Sequence, residues 1–429
     1  MGQKEKKLSL VEVIAMAVGT MIGASIFSIF GLGVKLAGYD LPFAFLLSGI
    51  YAMAVAYSYS ILGSKIISDA GPMAFITKGI GDNVLTGSLS ILYWFSFVVS
   101  IALFAKGFSG YFLPLINITP TSFSNGITIV GLISFFTVLN FFGSKAVGRA
   151  EFWIVLAKIS ILLLFIFGGL FTLKPELIHP KFDSLHLKGL LNASIVFFLS
   201  YMGFGLVTNV SENMKNPQKN VKRAIYWSIF IVMLIYIGIS IVTLGNLPLK
   251  NIISASENAL AVAAKPFLGE FGFILISIGA IFSISSALNA TLYGGANIAY
   301  SLAKEGYLPK EFERKTWFDA PEGLYITAVL GLILSLFFNL NAIAVITTAV
   351  TTLIYIFVLL SHYKLQTQMG GNKTIITINF FILIFVFLAL MRYQWQTEKD
   401  AFTTSWIIFT LAFVIEFLYR KITKRKFIS

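Results

Sequence analysis

The chain has 429 residues, 57% of them hydrophobic and only 12% charged, with a net charge of +13. A soluble domain is about one quarter charged, so this composition excludes a water-soluble globule, and the mean hydropathy of +0.85 agrees. There is no cysteine, which excludes disulfides and thiolate metal sites.

A bilayer crossing needs roughly 20 apolar residues as a helix. Twelve such runs follow one another, starting near residues 9, 41, 84, 126, 148, 188, 222, 267, 322, 341, 373 and 402. They are continuous rather than alternating, which predicts helices rather than barrel strands. The expected fold class is therefore an all-α membrane protein of twelve transmembrane helices. The first run follows Lys4, Lys6 and Lys7, as a secretory leader would. It is long, glycine-interrupted and lacks a small-residue cleavage site, so it reads as a retained span.

That first span contains Gly19-Thr20-Met21-Ile22-Gly23-Ala24-Ser25. Glycines at this spacing often mark only close helix packing. The sixth span, however, carries a second interruption, Ser200-Tyr201-Met202-Gly203-Phe204-Gly205. Matched breaks five spans apart point to an inverted repeat. Residues 1–173 (spans 1–5) and 174–363 (spans 6–10) form the two copies, and 364–429 holds spans 11 and 12 with a basic tail. Two breaks at mid-membrane offer free N–H groups beside free carbonyls. That pairing suits a zwitterion: its carboxylate on the amides of Ala24 and Ser25, its ammonium on carbonyls of Met21, Leu199 and Met202. The predicted binding set is Met21, Ile22, Gly23, Ala24, Ser25, Leu199, Ser200, Met202, Gly203 and Phe204. No charged side chain lies in either break, which argues against Arg, Lys or Glu as preferred substrates.

Between the breaks lie two intramembrane lysines. Lys106, beside Gly107 and Gly110 in span 3, reads as snorkelling to the interface. Lys158 is about 15 Å along span 5 at 1.5 Å per residue, near mid-bilayer. A lysine there costs roughly 2.5–3.5 kcal/mol on insertion scales and marks a functional candidate; the alternative is a structural lysine satisfied by carbonyls and hydroxyls. Span 8 carries Ser283, Ser285 and Ser286, hydroxyls that suit a sodium-sized site. If span 5 faces them, the Lys158 ammonium takes the place of a metal ion and stabilises span 1 through a carbonyl near Gly19. The predicted proton-coupling set is Lys158, Gly19, Ser283 and Ser286, with protons as coupling ion and neither metal nor cofactor. His179, His186 and His362 fall in loops or at span ends, unspaced for a metal, and carry no expected role.

With a cytoplasmic N-terminus, 22 of the 32 lysines and arginines fall on inner segments and 8 on outer ones. This satisfies the positive-inside rule. It predicts a multi-pass protein of the cell membrane with both termini cytoplasmic, and it accounts for the basic balance without nucleic acid. There is no HExxH, no paired intramembrane aspartate and no Ser/His set, so no enzyme is expected. A transporter is favoured over a channel or receptor, since a receptor has no need of paired breaks. Within the transporter reading, proton-coupled transport of neutral zwitterions with broad selectivity is expected, and an exchanger without proton coupling is the alternative.

Several stretches resemble the amino acid–polyamine–organocation superfamily of transporters over nearly the whole chain. Met21-Ile22-Gly23-Ala24-Ser25-Ile26-Phe27 is similar to that family's span-1 substrate motif. Ala70-Gly71-Pro72-Met73-Ala74-Phe75, Asn140-Phe141-Phe142-Gly143-Ser144-Lys145 and Val155-Leu156-Ala157-Lys158 resemble its inter-span and span-5 patterns. Ser211-Glu212-Asn213-Met214-Lys215-Asn216-Pro217 with Arg223-Ala224-Ile225, and Tyr300-Ser301-Leu302-Ala303-Lys304-Glu305-Gly306-Tyr307-Leu308-Pro309, complete the likeness. The resemblance implies a LeuT-type fold with a 5+5 inverted repeat and broken spans 1 and 6, alternating access, and an amino acid held at the breaks. It also implies that the span-5 lysine substitutes for sodium in proton-coupled members. The partners expected are an amino acid and the lipid bilayer, with no obligate protein. Three residues depart from the family pattern. Leu199 stands where an aromatic gate is frequent, which shifts occlusion to Phe204, Tyr201 or Phe198. Gly205 replaces a frequent acid, and Asn297 a frequent arginine.

Overall fold

The computed structural model describes residues 7–68, 70–141, 147–180, 183–305, 308–315 and 321–423. The motif residues Phe142, Gly143, Ser144, Lys145, Gly306 and Tyr307 lie outside the described residues, as do Lys4, Lys6, Lys181 and the basic tail from Lys424. Among the described residues the chain is helical, with two isolated bridges and no named strand. Eleven stretches are long and apolar enough to cross a membrane, and the sixteen-residue apolar helix Glu322–Phe337 is shorter.

Span 1 is three helical pieces, α1 (Leu10–Met21), α2 (Ala24–Ser28) and α3 (Phe30–Ala37). Span 2 is α4 (Leu41–Lys65), followed by the short connecting helix α5 (Pro72–Ile80). Spans 3, 4 and 5 are α6 (Val84–Leu115), α7 (Ser122–Phe141) and α8 (Val147–Leu170). Span 6 comprises α9 (Ser184–Phe197), a 3-10 helix over Phe198–Gly205, and α10 (Leu206–Asn209). Span 7 is α11 (Pro217–Asn246), and α12 (Leu249–Ala255) is a second short connector. Span 8 belongs to α13 (Ala259–Glu305), which turns at Gly269 where φ is +62°; a side chain there would be strained, so glycine permits the corner. Spans 9 to 12 are α14 (Glu322–Phe337), α15 (Leu340–Met369), α16 (Lys373–Thr397) and α17 (Lys399–Thr423). Against the twelve crossings predicted, the described residues give eleven helical stretches of crossing length and the shorter apolar helix α14.

Several helices start earlier than their apolar runs. α7, α9 and α11 begin at 122, 184 and 217, against predicted starts of 126, 188 and 222. Polar residues and proline occupy first turns readily because the first N–H groups have no intrahelical partner. α1 opens with a capping box: Glu12 N–H donates to Ser9 Oγ at 3.3 Å, and Ser9 N–H to Glu12 Oε2 at 2.7 Å. The side chains of Asn83, Asn339 and Asn372 accept backbone N–H groups at the starts of α6, α15 and α16, without the reciprocal bond.

α4 and α11 pack antiparallel, with Gly49 against Met233 and Gly63 against Val221. Behind the span-6 break sits an aromatic core in which Phe45 packs on Phe197 and Tyr236, and Tyr59 on Phe204 and Tyr355. Such rings bury large apolar area and add edge-to-face contacts, which makes this the rigid wall against which the break is held.

Candidate functional site

The helix of span 1 stops at Met21. Ile22 caps it by donating to Val18 O, and α2 restarts at Ala24 with no side-chain cap. The last carbonyls of α1 therefore lack helical partners, and buried carbonyls of this kind must find others. Three neighbouring spans supply them. Lys158 Nζ of α8 donates to Gly19 O at 2.5 Å. The Tyr236 hydroxyl of α11 donates to Met21 O at 2.6 Å, and Ser283 Oγ of α13 to Ile22 O at 2.7 Å. Tyr236 also reaches Ser200 O at 3.2 Å, so a single phenol ties the span-1 break to the span-6 break. Lys158 is 2% exposed.

The predicted contact between Lys158 and Gly19 is present, and Ser283 acts on the same helix end. Ser286 is buried one turn along α13. Two glycines set the spacing. A Cβ at Gly19 would stand 2.3 Å from Val155 Cγ2, so the lysine-bearing face of α8 lies directly on α1. A Cβ at Gly203 would stand 2.8 Å from Met21 N, so the two breaks touch backbone to backbone.

The second break differs from expectation in form. Residues 198–205 are wound as a 3-10 helix rather than left open. Tighter i→i+3 bonding satisfies most of its carbonyls internally, so fewer are free for an ammonium than two unwound strands would offer. Tyr355 additionally donates to Met202 O at 3.2 Å.

A cavity of about 1330 Å³ runs from the breaks to the end of the bundle that carries Leu8, Glu12 and Glu212. From the predicted set, Met21, Ser25, Leu199, Met202 and Gly203 line it. Ile22, Ser200 and Phe204 do not. They are at most 1% exposed and face the protein interior, so their side chains are not part of the cavity wall. Gly23 is likewise buried, and the side chain of Ala24 lies outside the described residues. Phe198, Tyr201 and Phe204, the expected gate, are fully buried. Tyr201 donates to Phe45 O, and Phe204 stacks on Tyr355. The 3-10 winding turns these rings toward the aromatic core and leaves Leu199 and Met202 facing the cavity.

Tyr236, Tyr355 and, apart from Asn297, the polar wall are not marked by the sequence reading. Ser96 and Ser100 of α6, and Asn289, Tyr293, Asn297 and Ser301 of α13, line the cavity. Each set recurs at three- or four-residue spacing within an apolar span, which is a polar stripe on one helix face. That signal was available. Asn140 of α7 donates to Asn289 Oδ1 at 2.8 Å, and Asn209 to the Tyr93 hydroxyl at 2.7 Å.

At the opposite end the path is shut. Ile26, Phe27, Ile29 and Phe30 are fully buried, and Tyr111 donates to Phe27 O at 2.9 Å. Lys106, read as snorkelling, is half-buried there and feels the charge of Glu257, whose carboxylate packs on Gly110. His362, for which no role was expected, is fully buried and bonds Ser58 Oγ at 2.9 Å and Gly370 O at 3.1 Å, joining α15 to α4.

Comparison with known proteins agrees with this architecture. The model of a family described as amino acid permease matches residues 8–417. An uncharacterized protein of Methanocaldococcus jannaschii is 60% identical over 424 residues, covering 99% of this chain and 98% of its own. The inner membrane transport protein YbaT of Escherichia coli is 30% identical over 381 residues, 88% of each chain. The branched-chain amino acid permease BcaP of Lactococcus lactis is 25% identical over 389 residues, covering 84% and 82%.

Proposed function

Since the chain belongs to the amino acid permease family, we propose that it moves neutral amino acids by alternating access, coupled to protons through Lys158. The substrate carboxylate sits on the uncapped N–H groups that open α2, with the Ser25 hydroxyl beside them. The ammonium sits on the carbonyls of Met21 and Met202; Met202 O already accepts the Tyr355 hydroxyl, and Met21 O accepts Tyr236 and, at 3.3 Å, Ser25 Oγ, so the Ser25 hydroxyl turns from Met21 O to the carboxylate as the ammonium binds. The side chain projects toward Leu103 and Phe104 of α6, apolar neighbours in the same cavity. The absence of any charge in the two breaks favours neutral substrates, as does the likeness to a permease named for branched-chain amino acids. The two breaks act as equivalent hinges of the 5+5 repeat, and the cavity opens to the cytoplasm, where both termini lie.

The observation that carries this reading is the Lys158 ammonium on the last turn of α1. A charged donor to a carbonyl is roughly twice as strong as a neutral one. Protonated, Lys158 pins α1 in place; deprotonated, it loosens α1 and lets the inner half of span 1 swing. Substrate and proton then move together. The test is uptake of a panel of amino acids into proteoliposomes, with pH and sodium gradients imposed separately. We expect uptake of neutral amino acids to follow the pH gradient and ignore sodium. In Lys158→Ala we expect gradient-driven uptake to vanish while the fold survives. Uptake that ignores the pH gradient in the parent protein, or that Lys158→Ala leaves pH-driven, overturns the coupling. Counterflow without any gradient supports the exchanger reading instead.

A further inference from the structure

A second cavity, of about 660 Å³, lies on the outer surface of the bundle between α4 and the start of α11, away from the substrate path. Its wall is one helix face. Lys219, Lys222 and Arg223 occupy the first two turns of α11, and Trp227 and Phe230 continue the same stripe at three- and four-residue spacing, with Met53 of α4 opposite. All three cations are exposed and none forms an ion pair with a described carboxylate. Trp227 is 54% and Phe230 40% exposed. No carboxylate lines the groove.

The stripe changes character along its length. From Lys219 to Phe230 is about 16 Å at 1.5 Å per residue. The basic end lies at the end of the bundle that carries the N-terminus, since Lys215 N–H donates to Leu8 O at 2.8 Å just before α11 begins. The other end is aromatic and lies at the depth of the span. Cations at a span end reflect the general preference of one membrane face for positive charge. That preference does not require them to share one face with a tryptophan, a phenylalanine and a groove. Three unpaired cations at headgroup level above an apolar slot match an amphiphile with an anionic head and a hydrocarbon tail.

We propose that this groove binds one anionic membrane lipid in the leaflet on the N-terminal side. Its phosphate is held by Lys219, Lys222 and Arg223, and an acyl chain lies along Trp227, Phe230 and Met53. A soluble acidic peptide fits less well, because half of the groove faces hydrocarbon. Bound there, the lipid bridges spans 2 and 7, and span 7 carries Tyr236, which ties the two breaks together.

The test is native mass spectrometry of the delipidated full-length protein titrated with phosphatidylglycerol or phosphatidylcholine. We expect one phosphatidylglycerol retained per chain, preferred about tenfold over phosphatidylcholine. The triple variant Lys219→Gln, Lys222→Gln, Arg223→Gln should bring the two lipids to parity. The control variant Lys310→Gln, Arg314→Gln, Lys364→Gln removes as much charge outside the groove and should keep the preference. Met53→Trp fills the slot with every charge intact and should weaken retention, which decides the matter if the triple variant fails to fold. Equal retention of both lipids by the parent protein overturns the proposal, as does equal loss in the control. Displacement of the lipid by millimolar inorganic phosphate marks a free-anion site and overturns it too.

Discussion

Tyr236 holds the centre of the site with a single oxygen. Its hydroxyl serves Met21 O and Ser200 O and lies within bonding reach of Ser25. Tyr236→Phe keeps the ring packed on Phe45 and Tyr201 while leaving two buried carbonyls short of a donor. An unsatisfied buried polar group costs about 1–3 kcal/mol, so uptake should fall by roughly tenfold or more with little change in expression. Steady-state uptake in proteoliposomes checks this. Gly19 gives a second, steric test. Gly19→Ala drives a methyl into Val155 and should push α8 off α1, separating Lys158 from the Gly19 carbonyl. The expected result is loss of pH-driven uptake. Adding Val155→Ala makes room for the methyl and should restore much of it. Persistence of the defect in the double variant would count against the contact as its cause. Lys158 was legible as a candidate because an intramembrane lysine is costly. Tyr236 was not, because a lone tyrosine in an apolar span looks like any other core aromatic.

Elements differ in how they are tied to the rest of the bundle. α1 is held at its N-terminal end by backbone bonds from Leu8 to Asn213 and from Lys215 to Leu8, which join the beginning of span 1 to the segment following span 6. The pieces of spans 1 and 6 on the N-terminal side of both breaks are thereby strapped together. Span 12 is anchored differently. Glu416 of α17 is 2% exposed and accepts from Arg420 at 3.0 Å, and Arg420 in turn pairs with Asp82 at the start of α6. Removing one partner of a buried pair strands the other charge, at a cost of about 3–5 kcal/mol when burial is complete. Arg420 is partly exposed, so Arg420→Ala should lower the melting temperature in detergent by several degrees and leave substrate affinity unchanged. A thermal-shift assay paired with substrate protection measures both. The span-6 break illustrates what the residues alone leave undecided. Gly203 and Gly205 announced an interruption, but a 3-10 helix and an open loop share the same glycines, and packing against Met21 and Tyr236 chose the tighter winding.

At the scale of the whole molecule the cavity is open at the end bearing the N-terminus and shut by Phe27, Phe30 and Tyr111 at the other, which is one conformer of the cycle we propose. The chain has no cysteine, so single introduced thiols report accessibility without background. Ser301→Cys and Asn297→Cys line the open cavity and should react with a membrane-impermeant maleimide only from the N-terminal side. Phe27→Cys should stay protected from both sides in this conformer and become reactive from the far side as a transported amino acid drives the cycle. Labelling of Ser301→Cys from both sides would show that no such closure exists.

Composition and run length by themselves determined a bundle of eleven or twelve apolar helices, because the hydrocarbon slab leaves the backbone no other way to satisfy its peptide groups. The two glycine-interrupted stretches, together with Lys158, marked the region that matters, since glycine and charge both stand out against an apolar background. Which residues face the cavity was a tertiary decision. Ile22, Ser200 and Phe204 lie within a break and yet point away, while Asn289 and Tyr355, far off in the chain, point in. A local run of letters specifies where a helix must stop, but the direction each side chain takes after the stop is set by what packs behind it.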